Sequence, residues 1–226
     1  MAVICAALLA AVLQSSPDLP VVADRLVTGP MSRVQLTNKS DQPVTAWSIA
    51  VVTPTANGTH RVVETIDAYL SEATEGVPGA TARTTRLMPG QSREIMLDPL
   101  PATARVEVIA VVLNDAHALG DAPTIASIFD RRAKERDQLK MVTDAFTSVL
   151  QQKRGVAALE DLRARFASTV GAEDSVPHRA ASDAVDSYLR RATQANADQI
   201  DGLVRQYAAF VQRQYELAVR HATRRD

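Results

Sequence analysis

The sequence predicts an α+β protein, with an antiparallel β-sandwich in the first half of the chain and an α-helical bundle in the second. Three observations lead to this prediction. Short alternating apolar runs closed by glycine, proline or asparagine fill residues 18–115. Apolar residues spaced three and four apart fill residues 116–226. Between the two patterns, an apolar strand at Arg105–Leu113 leads through a turn into a long helix.

Composition narrows the class of protein. Only 4% of the 226 residues are aromatic, so the core must be built mainly from valine, leucine, isoleucine and alanine. The net charge is −1 and neither half is strongly basic, so we expect no nucleic-acid partner. Cys5 is the single cysteine, which excludes a disulfide framework and cysteine-based zinc sites. No cofactor-binding signature is present, and we expect no cofactor.

The N-terminal residues have the pattern of an export signal. Residues 1–13 are uncharged and apolar, and Gln14–Pro17 follows as a cleavage region, so we predict a signal peptide at 1–17. The protein would then be periplasmic or secreted, and would contact a membrane only through this segment if it were retained. The usual basic residues are missing, which leaves two alternatives: a start further upstream, or an apolar element packed into the fold.

The first half contains seven short runs with strand character. Asn57-Gly58 is expected to supply the positive φ angles of a tight hairpin, and Trp47 is expected in the core. The last run is apolar on both faces, as in a central strand. The predicted strands are Val21–Val27, Arg33–Thr37, Val44–Val52, Arg61–Ile66, Arg83–Leu87, Ser92–Leu97 and Arg105–Leu113.

Part of this half resembles a known class of domain. The residues that carry the resemblance are Val34, Leu36, Asn38 and Ser40 before a polar turn, then Val44-Thr-Ala-Trp47, and later Leu87 with Pro89-Gly90 before an alternating strand. Over about residues 30–115, this pattern is similar to the Ig-like sandwiches of uncharacterised exported bacterial proteins. The resemblance implies an Ig-like β-sandwich over 18–115 and an interaction or accessory role. It transfers no catalytic residue.

The second half predicts four helices. The first begins at Ala122–Pro123 with Asp121 as its N-cap. Its polar segment Arg131–Gln138 predicts a solvated bridge that leads to the rest of the helical region. The other three open at Gly155, cover about His178 to Ala195, and carry apolar positions from Ile200 to Leu217. They either form an antiparallel bundle within the chain or pair their apolar stripes with a second copy.

One cluster of polar residues has the composition of a chemical site. Asp115, His117 and Asp121 follow the apolar strand and are candidate metal ligands or acid–base residues. The structural interpretation is favoured, because Asn114 and Asp115 form turns and Asp121 caps a helix. Pairs of acidic residues three apart, such as Asp198 with Asp201, are expected to be solvated surface groups.

These observations favour a non-enzymatic exported protein that acts as an interaction or scaffolding module of the cell envelope. Its partner would be an unidentified protein or a second copy of the chain. Two alternatives remain from the residues alone. One is a metal-dependent or hydrolytic enzyme that uses the turn at 115–121, and the other is a homo-oligomeric structural protein.

Overall fold

The computed structural model describes residues 19–75, 85–169, 175–193 and 196–225. Over these residues the protein is α+β, with two antiparallel sheets followed by a helical region, which confirms the coarse fold class. The predicted signal peptide at 1–17 lies outside them. The described strands are β1 (Val21–Val27), β2 (Ser32–Asn38), β3 (Val44–Thr55), β4 (Gly58–Asp67), β5 (Ser92–Leu97), β6 (Arg105–Leu113) and β7 (Ala118–Gly120).

The helices follow the strands in the chain. A 3-10 helix at Tyr69–Thr74 follows β4 in the chain. The α-helices are α1 (Ala122–Gln152), α2 (Gly155–Ser168), α3 (Val176–Arg191) and α4 (Ala197–His221). The chain divides into two compact units, of which the first contains the strands and the second contains most of the helical residues from Phe129 to Thr223.

The first unit contains both sheets. One sheet has the strand order β1-β2-β5 and the other β4-β3-β6-β7, and all neighbouring strands are antiparallel. Side chains from both sheets contribute to one hydrophobic cluster because apolar residues alternate along the strands. Trp47 on β3 is fully buried in this cluster, together with Val34 and Leu36 on β2 and Val106 and Val108 on β6.

Asn38 organises the turn between β2 and β3. Its side chain is fully buried, and its amide nitrogen donates to the carbonyl oxygens of Gln42 and Leu87 at 2.8 and 2.9 Å. Its side-chain oxygen accepts from the backbone nitrogen and the hydroxyl of Ser40. Leu87 in turn forms an isolated antiparallel bridge with Val44. In the described residues 85–87 this bridge replaces the strand predicted at 83–87.

The segment after β6 differs from the sequence prediction. We predicted one turn from Asn114 to Asp121, but the chain reverses by His117 and then forms β7 beside β6. Ala116 makes the reversal with a φ of 70°, and the backbone nitrogen of Leu113 donates to the carbonyl of His117 at 2.9 Å. The sheet therefore extends to Gly120.

Helix α1 includes the segment Arg131–Gln138, in which one residue departs from the expected solvation. The segment is helical, and Arg132 is fully buried. The guanidinium of Arg132 lies 5.5 Å from the centre of the Phe129 ring and donates to the carbonyl oxygen of His221 at 3.3 Å. A long side chain that is paired at its charged end can be buried, which a polar sequence pattern does not reveal.

The second unit has an apolar interior to which each helix contributes. Phe146 on α1 packs against Phe166 on α2 and Tyr207 on α4, with ring centres 5.8 Å apart in each case. Val185 on α3 is also buried, whereas Val156 at the start of α2 is exposed. Helix α3 ends at Arg191, earlier than predicted.

None of the helices among the described residues is both long enough and apolar enough to cross a lipid bilayer.

Candidate functional site

The most accessible regular backbone in the first unit is strand β4. It lies at the edge of its sheet, is ten residues long and pairs only with β3. The pairing runs from Ala46 opposite Asp67 to Thr55 opposite Gly58 without a shift in register. A long, regular edge strand of this kind presents a row of backbone groups to which another strand can bind.

A tight hairpin joins β3 to β4. Ala56 and Asn57 form its two-residue turn, and Gly58 begins β4 with a φ of 130°. We expected Asn57-Gly58 to be the central pair with positive φ, but only Gly58 has a positive φ. The turn is therefore placed one residue earlier than the Asn-Gly signal indicated, and this shift sets the register of the whole hairpin.

The register fixes which backbone groups of β4 face outward. The backbone nitrogen of Ala68 donates to the carbonyl oxygen of Thr45 at 2.7 Å, which makes these two residues a hydrogen-bonded pair. Such pairs alternate along an antiparallel ladder. Val62, opposite Val51, therefore bonds to β3, whereas Val63 directs its N–H and C=O away from the sheet. Counting in steps of two from Val63, the residues with outward backbone groups include Thr59, Arg61 and Thr65.

The side chains of the outer part of β4 are accessible. Residues 58–64 are all exposed, and Val62 and Val63 are 48% and 41% exposed although both are apolar. Two exposed valines on a strand lose little conformational freedom when they become ordered. They also gain hydrophobic stabilisation when another strand covers them. In the described part of the chain, none of the neighbouring His60, Arg61 or Glu64 has an ion-pair partner.

The other three edge strands are less suited to strand addition. Strand β1 has an irregularity between Ala23 and Arg25, and β7 has only three residues. Strand β5 has six residues, and its Arg93 donates hydrogen bonds to the carbonyl oxygens of Thr85 and Arg86. Bulges, short strands and covering segments are the means by which natural proteins block edge pairing. Strand β4 is ten residues long and pairs with β3 without a bulge, and its residues 58–64 are exposed in the described part of the chain.

In the segment that the sequence identified as a candidate chemical site, both carboxylates form local hydrogen bonds. Asp115 accepts from the backbone nitrogen of His117 at 3.0 Å and from the side-chain amide of Gln42 at 3.3 Å. These bonds, chiefly the one from His117, lower the pKa of Asp115. Asp121 lies beyond β7 and accepts from the backbone nitrogen and hydroxyl of Thr124 at 3.0 and 2.5 Å, which lowers its pKa.

Asp115 and Asp121 thus act locally, one in a turn and the other as the cap of α1. Within residues 19–75, 85–169, 175–193 and 196–225, no three histidine, cysteine or acidic side chains are grouped in a way that could hold a metal ion. The proposed metal role of Asp115, His117 and Asp121 stays a hypothesis without a geometric basis. Acidic pairs elsewhere are partly engaged in structure, because Asp201 accepts from Arg205 and from the backbone of Gly155.

A small cavity lies beside Trp47. It has a volume of about 310 Å³ and is lined by Trp47, Ile66 and Thr85 together with Arg93–Met96. The guanidinium of Arg93 lies 5.3 Å from the centre of the Trp47 ring, and burial lowers its pKa. Because Arg93 also bonds to Thr85 and Arg86, the pair holds the edge of β5 in place. This position agrees with the expectation that Trp47 is a core residue.

Two grooves line α4 in the second unit. One, of about 350 Å³, lies between α4 and residues Thr143–Gln151 of α1. The other, of about 410 Å³, includes Tyr188 on α3 and Tyr207 and Phe210 on α4. Burial, with smaller effects of Tyr188 and Asp183, raises the pKa of Tyr207 to about 12. The groove residues combine alanine, leucine and aromatic side chains with threonine, glutamine and arginine, and they define no specific chemistry.

Sequence reasoning identified β4 as a strand but did not indicate that it lies at the edge of its sheet. The alternating pattern of Arg61–Ile66 predicted a strand that returns beside its neighbour, and that is what β4 does. It carried no signal that this strand lies at an edge. The absence of a proline between Gly58 and Asp67 was the one visible hint, since proline is a common guard of edge strands.

Comparison with known proteins adds little. No protein-family model and no curated protein matches the sequence. Among solved structures, a hypothetical protein from Peptoclostridium difficile 630, determined by X-ray crystallography at 1.85 Å, gives a match with 9% sequence identity and a TM-score of 0.33. The match covers 46% of this chain and 88% of that chain. A likeness of this size carries no argument about fold or function.

Proposed function

We propose that this protein is a non-enzymatic interaction module of the cell envelope, in which an Ig-like β-sandwich presents β4 to a partner and a helical bundle follows. The single hydrophobic cluster shared by both sheets supports the sandwich. The packing of Phe146 against α2 and α4 supports the bundle. The uncharged apolar run at residues 1–13 supports export.

The observation that carries this proposal is the regular edge of β4, whose residues 58–64 are exposed in the part of the chain that the structure describes. An extended segment of a partner that lies antiparallel or parallel to β4 completes the hydrogen bonds of the outward residues. The main chain then supplies affinity, and the exposed Val62 and Val63 supply contacts for alternate side chains of the added strand. Recognition of this kind needs no catalytic residue, cofactor or deep pocket.

The engagement of Asp115 and Asp121 in local structure also favours binding over catalysis. Each carboxylate accepts hydrogen bonds from the chain beside it, and each has a lowered pKa as a result. A carboxylate that acts as a general acid near neutral pH works best with a raised pKa instead. The geometry of this turn therefore favours the interaction module over the hydrolytic alternative.

The test compares three baits in a capture experiment with envelope extract of the source organism. The baits are the unmodified chain, Val63→Pro, which removes an outward N–H, and Val63→Ser, which keeps the N–H and shortens the side chain. We expect a protein retained in stoichiometric amount by the unmodified chain and by Val63→Ser, and lost from Val63→Pro. Retention of the same proteins by all three baits would contradict binding at β4.

A further inference from the structure

We propose that the strand added to β4 is β4 of a second copy of this chain, paired antiparallel about a two-fold axis. This inference rests on the proposed function and names the occupant of its site. It starts from the ladder geometry, in which Thr59, Arg61, Val63 and Thr65 direct their backbone groups outward. Two identical edges that meet through these residues form one continuous sheet, closed by symmetry and limited to two copies.

Symmetry restricts the possible registers. A two-fold axis perpendicular to the sheet keeps the two faces of β4 continuous across the junction, so opposite residues must come from the same face. The outward residues must also meet one another, so that each hydrogen-bonded pair exchanges two bonds. The central registers that remain place Arg61, Val62, Val63 or Glu64 opposite the same residue of the second copy.

Charge selects among these registers. Centring the pairing on Arg61 or on Glu64 places like charges directly opposite each other, which destabilises a sheet. Centring it on Val62 places His60 opposite Glu64 of the second copy on one face, and the same pair recurs by symmetry. Centring it on Val63 instead places each Glu64 carboxylate opposite an apolar Val62. We therefore assign the register centred on Val62.

This register also explains the exposed apolar side chains. Val62 meets Val62 of the second copy on one face, flanked on either side by a His60–Glu64 pair. On the other face Val63 lies opposite Arg61, whose methylene groups can cover it. The two Arg61 residues become diagonal neighbours at about 7–8 Å between Cα atoms, where their long side chains can point apart into solvent.

Disulfide cross-linking between introduced cysteines tests this register directly. The chain has one native cysteine, so Val62→Cys is made in the full chain carrying Cys5→Ser. Opposite residues at a position without hydrogen bonds have Cα atoms about 4.5 Å apart, within the roughly 4.4–6.8 Å that a disulfide spans. In the same register the Val63 positions are diagonal, about 7–8 Å apart, which is too far. Met96→Cys, at 57% exposure on β5, is the control for random collisions.

We expect most of the Val62→Cys chain to become a disulfide-linked dimer under mild oxidation, and Val63→Cys and Met96→Cys to remain mainly monomeric. Sedimentation of the unmodified chain should give about twice its 24.4 kDa mass, and Val63→Pro should return it to the monomer. Dimerisation through Val63→Cys alone would overturn the register. Cross-linking of Val62→Cys no faster than Met96→Cys, or a Val63→Pro dimer, would overturn the inference.

The outcomes also separate this inference from the proposed function. If the unmodified chain is monomeric but captures another protein that Val63→Pro releases, the second copy is wrong as the occupant and the binding edge stands. If Val63→Pro changes neither self-association nor capture, both the occupant and the edge are wrong.

Discussion

Proline substitution at two adjacent residues of β4 should destabilise the protein to unequal extents. Val62 and Val63 are similarly exposed, at 48% and 41%, so replacing either side chain changes the buried area about equally. They differ in the direction of the backbone N–H. Val62 lies opposite Val51 in a hydrogen-bonded pair, and Val63 points its N–H to solvent.

The expected magnitudes follow from this difference. Val62→Pro removes a hydrogen bond to β3 and leaves the carbonyl of Val51 without it, which costs at least about 1 kcal/mol. Val63→Pro removes an N–H that bonds only to water, and proline is tolerated at such edge positions, so the change should stay within about 0.5 kcal/mol. For a chain of this size, 1 kcal/mol corresponds to a fall in melting temperature of about 2–4 °C.

Thermal denaturation followed by circular dichroism measures the effect, at concentrations low enough to keep the chain monomeric. Hydrogen exchange gives an independent reading, because the amides of His60, Val62 and Glu64 should exchange more slowly than those of Arg61 and Val63. Equal destabilisation by both prolines, or a larger loss for Val63→Pro, would refute the assignment of inward and outward groups on β4.

Three further predictions concern the rest of the chain. Asn38→Ala should lower the free energy of unfolding, measured by urea titration, by about 3 kcal/mol, because the carbonyl groups of Gln42 and Leu87 lose their hydrogen-bond donor. A loss under about 1 kcal/mol would be inconsistent with this prediction. Gly120→Ala should destabilise the protein far more than Gly58→Ala. The added Cβ at position 120 would lie 2.1 Å from the Ile109 carbonyl oxygen, whereas Gly58 faces open space. Equal melting temperatures of the two variants would contradict this difference. The pKa of Tyr207 is raised to about 12 in the folded protein, compared with about 10 in the unfolded chain. The free energy of unfolding should therefore decrease as the pH rises from about 10 to about 12, and Tyr207→Phe should reduce this decrease.

Local patterns in the sequence were sufficient where one face of an element is buried. The alternation of β6 and the three-and-four spacing of α4 reflect contact with a core along the whole element, so both were predicted close to their observed bounds. Asp121 was also identified as a cap, because capping depends on the next three residues alone. In these cases the information lies within a few residues of the position it describes.

Features that depend on distant partners were not predictable in this way. Arg132 is buried because its guanidinium reaches the carbonyl oxygen of His221, which is 89 positions away in the sequence. Strand β7 forms because Ala118–Gly120 finds the edge of β6, although the residues themselves favour a turn. Ala116 takes a positive φ that alanine rarely adopts, and the pairing on either side of the reversal holds it there. The sequence indicated the polar segment and the turn-forming residues, but not what the surrounding structure does with them.

The proposed binding edge of β4 belongs to this second group, and this affects how it should be tested. Val62 and Val63 have the same residue type as the buried Val106 and Val108 of β6, so residue chemistry does not distinguish an edge from a centre. The difference lies in the strand order, which leaves alternate backbone groups of β4 without a neighbouring strand. Side-chain substitutions on β4 therefore probe only part of the site. A substitution that removes an outward N–H, as proline does at Val63, acts directly on the backbone groups through which we propose that β4 binds another strand.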